Sequence, residues 1–353
     1  MSETHTAAQP GRNMALDNSR TIGCFLIVVV HACMSGWYGM DPSSALWKFN
    51  LGGIAASYAA VSLFFMISGA LFLDPRRNVT VRSIWTHTLP HLAVIYFVWS
   101  AWFAWSSSGL NAGISAGTLI AFAKNCLYGA SHQWFLWPLA GFYIATPLLR
   151  KIAEDKRLLE YFLLVSFFLG VLPVESHFTV HFALYETLTG LMQLGIASGY
   201  MFYFLAGYYL TAYPPQGKAR LCLYLAGGAG LLITGFGGAF IRFHNDGQLV
   251  MWLDPSRAHS GLYAAALFVA VQQITPRLPA VVNRVSREIA SCSFGVYMVH
   301  LSILLKVMGW VGYQPQGDSP LWKVPLCACI AFILSVGVSM LLRRIPILKR
   351  ILF

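Results

Sequence analysis

The stretch SRTIGCFLIVVVHAC, Ser19 to Cys33, decides the fold class. It is an almost unbroken apolar run that continues to about residue 38. That is the length of a bilayer-crossing helix, for which roughly 17–25 apolar residues suffice. Alternation of apolar and polar residues, the mark of a membrane strand, is missing from it. Two residues do not fit a plain anchor: Arg20 opens the run and His31 sits well inside it. The eleven positions between them turn a helix to about 20° beyond three full turns and advance it by ~16 Å, so both side chains share one face. An ionisable side chain at that depth faces a bundle interior or a wet cavity. On this pair alone, an anchor with a tolerated histidine and an active site inside the membrane both stay open.

The rest of the chain repeats the pattern. Of 353 residues, 57% are hydrophobic and only 10% are charged, against about 25% charged in a soluble domain. Apolar runs lie near 19–38, 54–73, 89–107, 133–149, 158–174, 191–212, 221–241, 258–274, 290–309 and 324–342. The expected fold is therefore all-α: a polytopic integral membrane helical bundle of about ten transmembrane helices, one domain over 1–353. Residues 1–17 form a polar N-terminal segment without the apolar core of a signal peptide. The Gly/Ser/Ala-rich stretch 108–132 reads as a loop or an interfacial helix.

A net charge of +11 raises the question of nucleic acid, but the cations sit in short loops between apolar runs, where they fix membrane orientation. No nucleic-acid partner is expected. With both termini cytoplasmic, only Lys48, Lys124, Arg242, Arg257, Lys306 and Lys323 fall outside, leaving 18 of the 24 Lys and Arg inside. Both termini are therefore expected in the cytoplasm of a multi-pass protein of the bacterial inner (plasma) membrane.

Metal and nucleotide readings are weak. The seven cysteines include no Cys-x-x-Cys pair, and most lie in apolar runs where Cys packs as a small hydrophobe. His87 and His91, and His177 and His181 near Glu175, have the i, i+4 spacing of metal ligands, but read better as interfacial histidines, so no metal is expected. The glycines of AGGAGLLITGFGGAF (226–240) lack a nucleotide-loop spacing and suit close helix packing.

Five ordered motifs carry a resemblance. Asp17, Arg20 and His31 in DNSRTIGCFLIVVVHA come first. VSLFFMISGALFL (61–73) follows, with Phe64, Phe65, Ser68 and Gly69. HQWFLWPLAGFYIATPLL (132–149) contributes Trp134, Phe135, Leu136, Tyr143 and Pro147, and FYFLAGYYL (202–210) an aromatic-glycine element. SCSFGVYMVH (291–300) supplies Ser293, Gly295, Tyr297 and His300. In this order they resemble the membrane acyltransferase-3 family, and within it the stand-alone O-acetyltransferases of surface polysaccharides, such as enterobacterial common antigen.

The resemblance implies transfer of an acyl group, usually acetyl, from cytoplasmic acyl-CoA (acetyl-CoA as co-substrate) to a hydroxyl of a sugar or lipid-linked glycan. Histidine suits the base that such an attack needs near neutral pH. His31 is thus the expected base, with a covalent acyl-histidine as the alternative. Arg20 cannot lose its proton and suits donor binding or electrostatic support. Asp17, three positions earlier, is read as a helix cap or as orienting Arg20.

Arg76, Arg77 and Arg82 in DPRRNVTVR offer charge for CoA phosphates or serve orientation alone. Relatives often carry Arg-x-x-Arg at the entry to the third span. Here SIWTHTLPH places His87 near one of those positions, which weakens a specific CoA clamp and makes His87 a candidate for a different local contact to the donor. Ser68, Trp134, Tyr297 and His300 are expected to line or support the site. Ser68 has no nucleophile elbow around it. Trp134 also suits an interfacial belt, and His300 a buried hydrogen bonder.

A transporter or flippase for a small molecule or lipid-linked sugar is the competing reading. Its expected signature, repeat symmetry with broken helices, is not evident in the sequence. The sequence assigns no oligomeric state.

Overall fold

Asn13 opens the first helix: its side-chain oxygen accepts from the backbone N–H groups of Ala15 and Leu16, donors that a helix start leaves without partners. The cap is therefore Asn13 and not Asp17. Helix α1 runs Met14–Met34 and ends before Gly36, which takes a φ of 70°, a left-handed conformation that glycine adopts without penalty. This computed structural model describes residues 11–110, 112–171, 195–197, 199–244, 249–315 and 319–352. Within them the chain is all-helical, with no strand.

Among the described residues, each apolar run of the sequence contains helix. The second is longer than its hydropathy indicates: α2 (Ala45–Ser57) and α3 (Ala59–Phe72) run on through Tyr58, so the span starts at Ala45. Lys48 and Asn50 mask its beginning. Asn50 is fully buried, and its side-chain amide N–H donates to the Tyr313 hydroxyl at 3.4 Å and toward the Met40 sulfur at 3.6 Å. Helix α4 (Leu89–Ser107) follows a capped turn at Thr80 and a π turn at Ile84–Thr88. The ambiguous stretch contains α5 (Ala116–Tyr128), capped by Ser115 and packed along α4 with no buried residue of its own.

Helix α6 (Leu136–Glu154) stops at Asp155, whose carboxylate caps α7 (Lys156–Ser166). A π turn, Phe167–Val171, extends α7. Then come α8 (Met201–Ala212), α9 (Gly217–His244) and α10 (Ala258–Ile274). The run at 290–309 begins one element too early, because the backbone breaks at Cys292 between α11 (Ala280–Ser291) and α12 (Ser293–Val311). Helices α13 (Lys323–Arg344) and α14 (Pro346–Leu352) close the chain. Residues 1–10, the ends 172–174 and 191–194 of two expected spans, and Glu175, His177 and His181 lie outside the described residues.

Among the described residues, five helical stretches are long and apolar enough to cross a membrane: Met14–Gly39, Ala45–Phe72, Gly217–His244, Ser293–Val311 and Lys323–Arg344. Phe236, Phe240, Phe243, Trp310 and Ile333 are exposed on them, as lipid-facing side chains are.

Helix α1 is the hub, packed against α2, α3, α11, α12 and α13. Helices α3 and α8 cross at reciprocal glycines. A Cβ on Gly69 would collide with the Phe204 carbonyl, and one on Gly207 with the Met66 carbonyl. Two motif glycines, far apart in sequence, thus serve one backbone contact of the small-residue kind. Along α9, a Cβ on Gly227 or Gly230 would collide with Ala266 or the His259 carbonyl of α10. The glycine-rich stretch is a packing surface.

Candidate active site

Arg20 and His31 open into two adjoining cavities. The first, about 300 Å³, is lined by Arg20, Ile67, Ser68, Leu139, Tyr143 and Phe294, among others. The second, about 210 Å³, is lined by His31, Met34, Tyr58, His132, Trp134 and Pro255, among others. Phe64, Phe135 and Tyr297 line both and form the partition between them. The helical spacing expected from sequence is therefore realised: one face of α1 presents a cation to one chamber and an imidazole to the next.

Two buried aromatics divide their work in the second motif. Phe64 faces the chambers, while Phe65 is wholly buried with ring centroids 4.5 Å from Phe135 and 4.6 Å from Tyr200. Ser68 is a chamber wall and Gly69 the helix contact.

Around His31 three histidines converge. The rings of His31 and His300 lie 5.1 Å apart and those of His132 and His300 5.7 Å apart. His300 Nδ1 meets the Tyr297 carbonyl at 2.5 Å. A carbonyl only accepts, so Nδ1 carries the proton, and in the neutral ring Nε2 is a bare acceptor. That Nε2, and both ring nitrogens of His132, are buried without a hydrogen-bond partner. Buried polar atoms are nearly always satisfied, so these vacant positions mark a place for chemistry. Tyr297 donates its hydroxyl to the His132 carbonyl and ties α12 to the turn before α6. Among the described residues no group of His, Cys, Asp and Glu has the arrangement of metal ligands.

At the other chamber, among the described residues, no hydrogen bond or ion pair engages the Arg20 guanidinium. Asp17 does not hold it. The buried Asp17 carboxylate pairs with Arg12 Nε at 2.5 Å, and Arg12 also donates to the Arg287 carbonyl, fastening the start of α1 to α11. Tyr143 stacks on Phe72 with centroids 4.0 Å apart. Pro147, inside α6, has no N–H to give the Tyr143 carbonyl.

A third cavity, about 460 Å³, adjoins the Arg20 chamber through the shared walls Leu139, Tyr143 and Phe294 and is lined by His87 and His91. The two histidines line this cavity, His87 exposed and His91 partly buried. The π turn produces this, since an extra residue in the turn swings the chain, a device common at functional sites. Of the loop arginines, Arg76 is engaged bidentately by Asp74, with contacts of 2.8 and 2.9 Å. Burial alone would raise the Asp74 carboxyl, but Arg76 hydrogen bonds and the Arg76 and Arg77 charges hold it below its ordinary value. Arg77 lines none of these three cavities, and the charge of Asp17 acts on Arg20 more strongly than that of Arg77. Arg82 is exposed and lines none of these three cavities.

Sequence reasoning missed two residues. His132 stands at the edge of an apolar run, in the 3₁₀ turn Ser131–Phe135, and only its place just before Trp134 in a recognised motif hinted at it. Arg150 donates to the carbonyls of Phe72, Asp74, Pro75 and Arg77, fixing the loop that carries Arg76 and Arg77.

No curated protein and no solved structure matches the chain significantly. The family described as Acyltransferase domain matches residues 13–344. That match spans nearly the whole chain, from the α1 cap through α13, and contains Arg20, His31, His132 and His300. The chain belongs to the acyltransferase-3 family of membrane acyltransferases.

Proposed function

We propose that this enzyme moves an acyl group, acetyl in the first instance, from acyl-CoA to a sugar hydroxyl. One observation carries the reading: Arg20 and His31 share a face of α1 and open into adjoining chambers with a common aromatic partition. The donor enters on the Arg20 side, where a guanidinium without a protein partner suits an anionic group. Arg77 and the His87 cavity extend that side. The thioester reaches the partition, and the acceptor hydroxyl meets it beside His31.

His31 then takes the hydroxyl proton as the oxygen attacks the thioester carbonyl carbon. The C–O bond forms, the C–S bond breaks, and the departing thiolate takes the proton from the imidazolium. His300 supports this step. Its Nε2, which has no hydrogen-bond partner in the structure, is the acceptor toward which a His31 N–H turns in the reacting complex, leaving the other His31 nitrogen bare, as an orienting group does for a catalytic histidine. The reading also takes all ten apolar runs as membrane spans, both termini as cytoplasmic and the membrane as a bacterial inner membrane. The helix that each run contains among the described residues and the clustering of Lys and Arg in alternate loops support this.

The test is purified protein in lipid nanodiscs with radiolabelled acetyl-CoA and a panel of glycans and lipid-linked sugars. Label appearing on a sugar, with one CoA released per acyl group, supports the reading. A protein that binds neither donor nor acceptor, or moves a sugar across vesicles without acyl-CoA, contradicts it and returns the transporter reading.

A further inference from the structure

The far side of the His31 chamber is built unlike the Arg20 side. Its rim carries Tyr58, Trp134 and Pro255. Trp134 is 41% exposed, yet its ring is not left to lipid: its centroid lies 5.7 Å from that of Tyr200. The Tyr200 hydroxyl in turn approaches Asp254 Oδ1 at 3.5 Å. Asp254 directly precedes Pro255 of the rim. Its Oδ1 also accepts from the Ser256 backbone N–H at 2.7 Å and the Ser256 hydroxyl at 2.6 Å.

Every described hydrogen bond of Asp254 therefore falls on one oxygen, and Oδ2 is left with its lone pairs. The Tyr58 hydroxyl has as its described partner the Met34 thioether sulfur at 3.8 Å, a weak acceptor. Tyr58 and Asp254 thus hold donor and acceptor capacity that the fold does not use. The turn that aims the carboxylate is itself held in place, because the Ser62 hydroxyl of α3 donates to the Pro255 carbonyl at 2.7 Å.

The chamber wall supplies a flat indole and a phenol, and Tyr200 and Asp254, which lie behind that wall and do not line the cavity, supply a second ring and a carboxylate; together they have the composition of a pyranose site. The apolar C–H face of a sugar ring packs on the aromatic face, while its hydroxyl edge needs fixed acceptors and donors. Discrimination of such a group comes from buried polar partners that would otherwise go unpaired. A lipid tail would use the rings but leave the carboxylate unpaired, and an anionic ligand would be repelled by it. We infer that Trp134, Tyr58, Tyr200 and Asp254 form the acceptor subsite: a neutral pyranoside stacks on Trp134 and gives a hydroxyl hydrogen bond to Asp254 Oδ2. This orientation points another of its hydroxyls across the chamber to His31. The inference rests on the acyl-transfer reading for its purpose, but the binding it asserts does not depend on catalysis.

The test is binding alone. Saturation-transfer NMR is recorded on the full-length protein in nanodiscs, without acyl-CoA, with methyl α-D-glucopyranoside, methyl α-D-galactopyranoside and methyl N-acetyl-β-D-glucosaminide as probes. At least one is expected to show transfer concentrated on the ring protons of one face. Trp134→Ala is expected to abolish that transfer. Asp254→Asn keeps Oδ1, and hence the Ser256 turn, while losing the charged acceptor, and should weaken binding about tenfold. Trp134→Phe retains a ring and should bind with intermediate strength, which separates stacking from a folding defect; thermal melting of each variant checks the fold directly. Absence of transfer to all three probes in the wild type, or equal binding by Trp134→Ala and Asp254→Asn, overturns the subsite. If sugars bind as described but label never passes from acetyl-CoA, it is the acyl-transfer reading that fails.

Discussion

His31 of α1 and His300 of α12 face one another with ring centroids 5.1 Å apart, and the Tyr297 carbonyl fixes which nitrogen of His300 carries the proton. The proposed mechanism makes this directional: the unpaired Nε2 of His300 is to take an N–H of His31, so that His300 acts through its neighbour. His300→Phe keeps a planar ring in a fully buried position but removes that lone pair. It should lower kcat by about 10²-fold, at the lower end of what a general base contributes, with KM for acyl-CoA unchanged. Initial rates with saturating acceptor measure the split. A rise in donor KM with normal kcat would move His300 out of the base assembly.

Arg20 should behave differently. Among the described residues its guanidinium makes no hydrogen bond or ion pair, and it lines its own chamber. Arg20→Lys keeps the charge and loses the planar fork, so KM for acyl-CoA should rise about tenfold, the worth of a charge-assisted hydrogen bond. Titration of the donor at fixed acceptor checks this. Arg20→Ala should be worse, and added sugar should not restore it.

The α3–α8 crossing gives a stability prediction. Gly69→Ala drives a methyl into the Phe204 carbonyl, whereas a methyl at Gly52 meets nothing within 4 Å. The first should cost about 1–3 kcal/mol, as overpacking does; the second should be neutral or slightly stabilising in its helix. Thermal melting of both variants in the same detergent compares them.

Arg150 holds four backbone carbonyls of the loop behind α3. Arg150→Met should loosen that loop without touching a chamber wall. Limited trypsin digestion should then cut after Arg76 and Arg77 several-fold faster than in the wild type, because local opening exposes the backbone to the protease.

Much of this was legible in the sequence, for definite reasons. The helices Leu89–Ser107 and Ala258–Ile274 share the bounds of the apolar runs read from sequence, because apolar content begins and ends with the helix, though neither is among the five stretches long and apolar enough to cross a membrane. Ala45 was missed because a buried, hydrogen-bonded Asn50 reads as polar in a hydropathy pattern. The shared face of Arg20 and His31 follows from helical pitch alone. The partner of Asp17 did not follow: geometry along one helix favoured Arg20, while Arg12, beyond the cap, folds back to take the carboxylate. His132 was hidden for a similar reason. Its meeting with His300 depends on how α6 and α12 come together, and no periodicity within either segment records that.

The central claim is that His31 takes the acceptor proton. It is tested most directly by His31→Ala in nanodiscs, with acyl transfer followed from labelled acetyl-CoA and the fold checked by melting and by donor binding. The account predicts that donor still binds while transfer falls by about 10²- to 10⁴-fold. Transfer within about threefold of the wild type, from a folded variant, would contradict it.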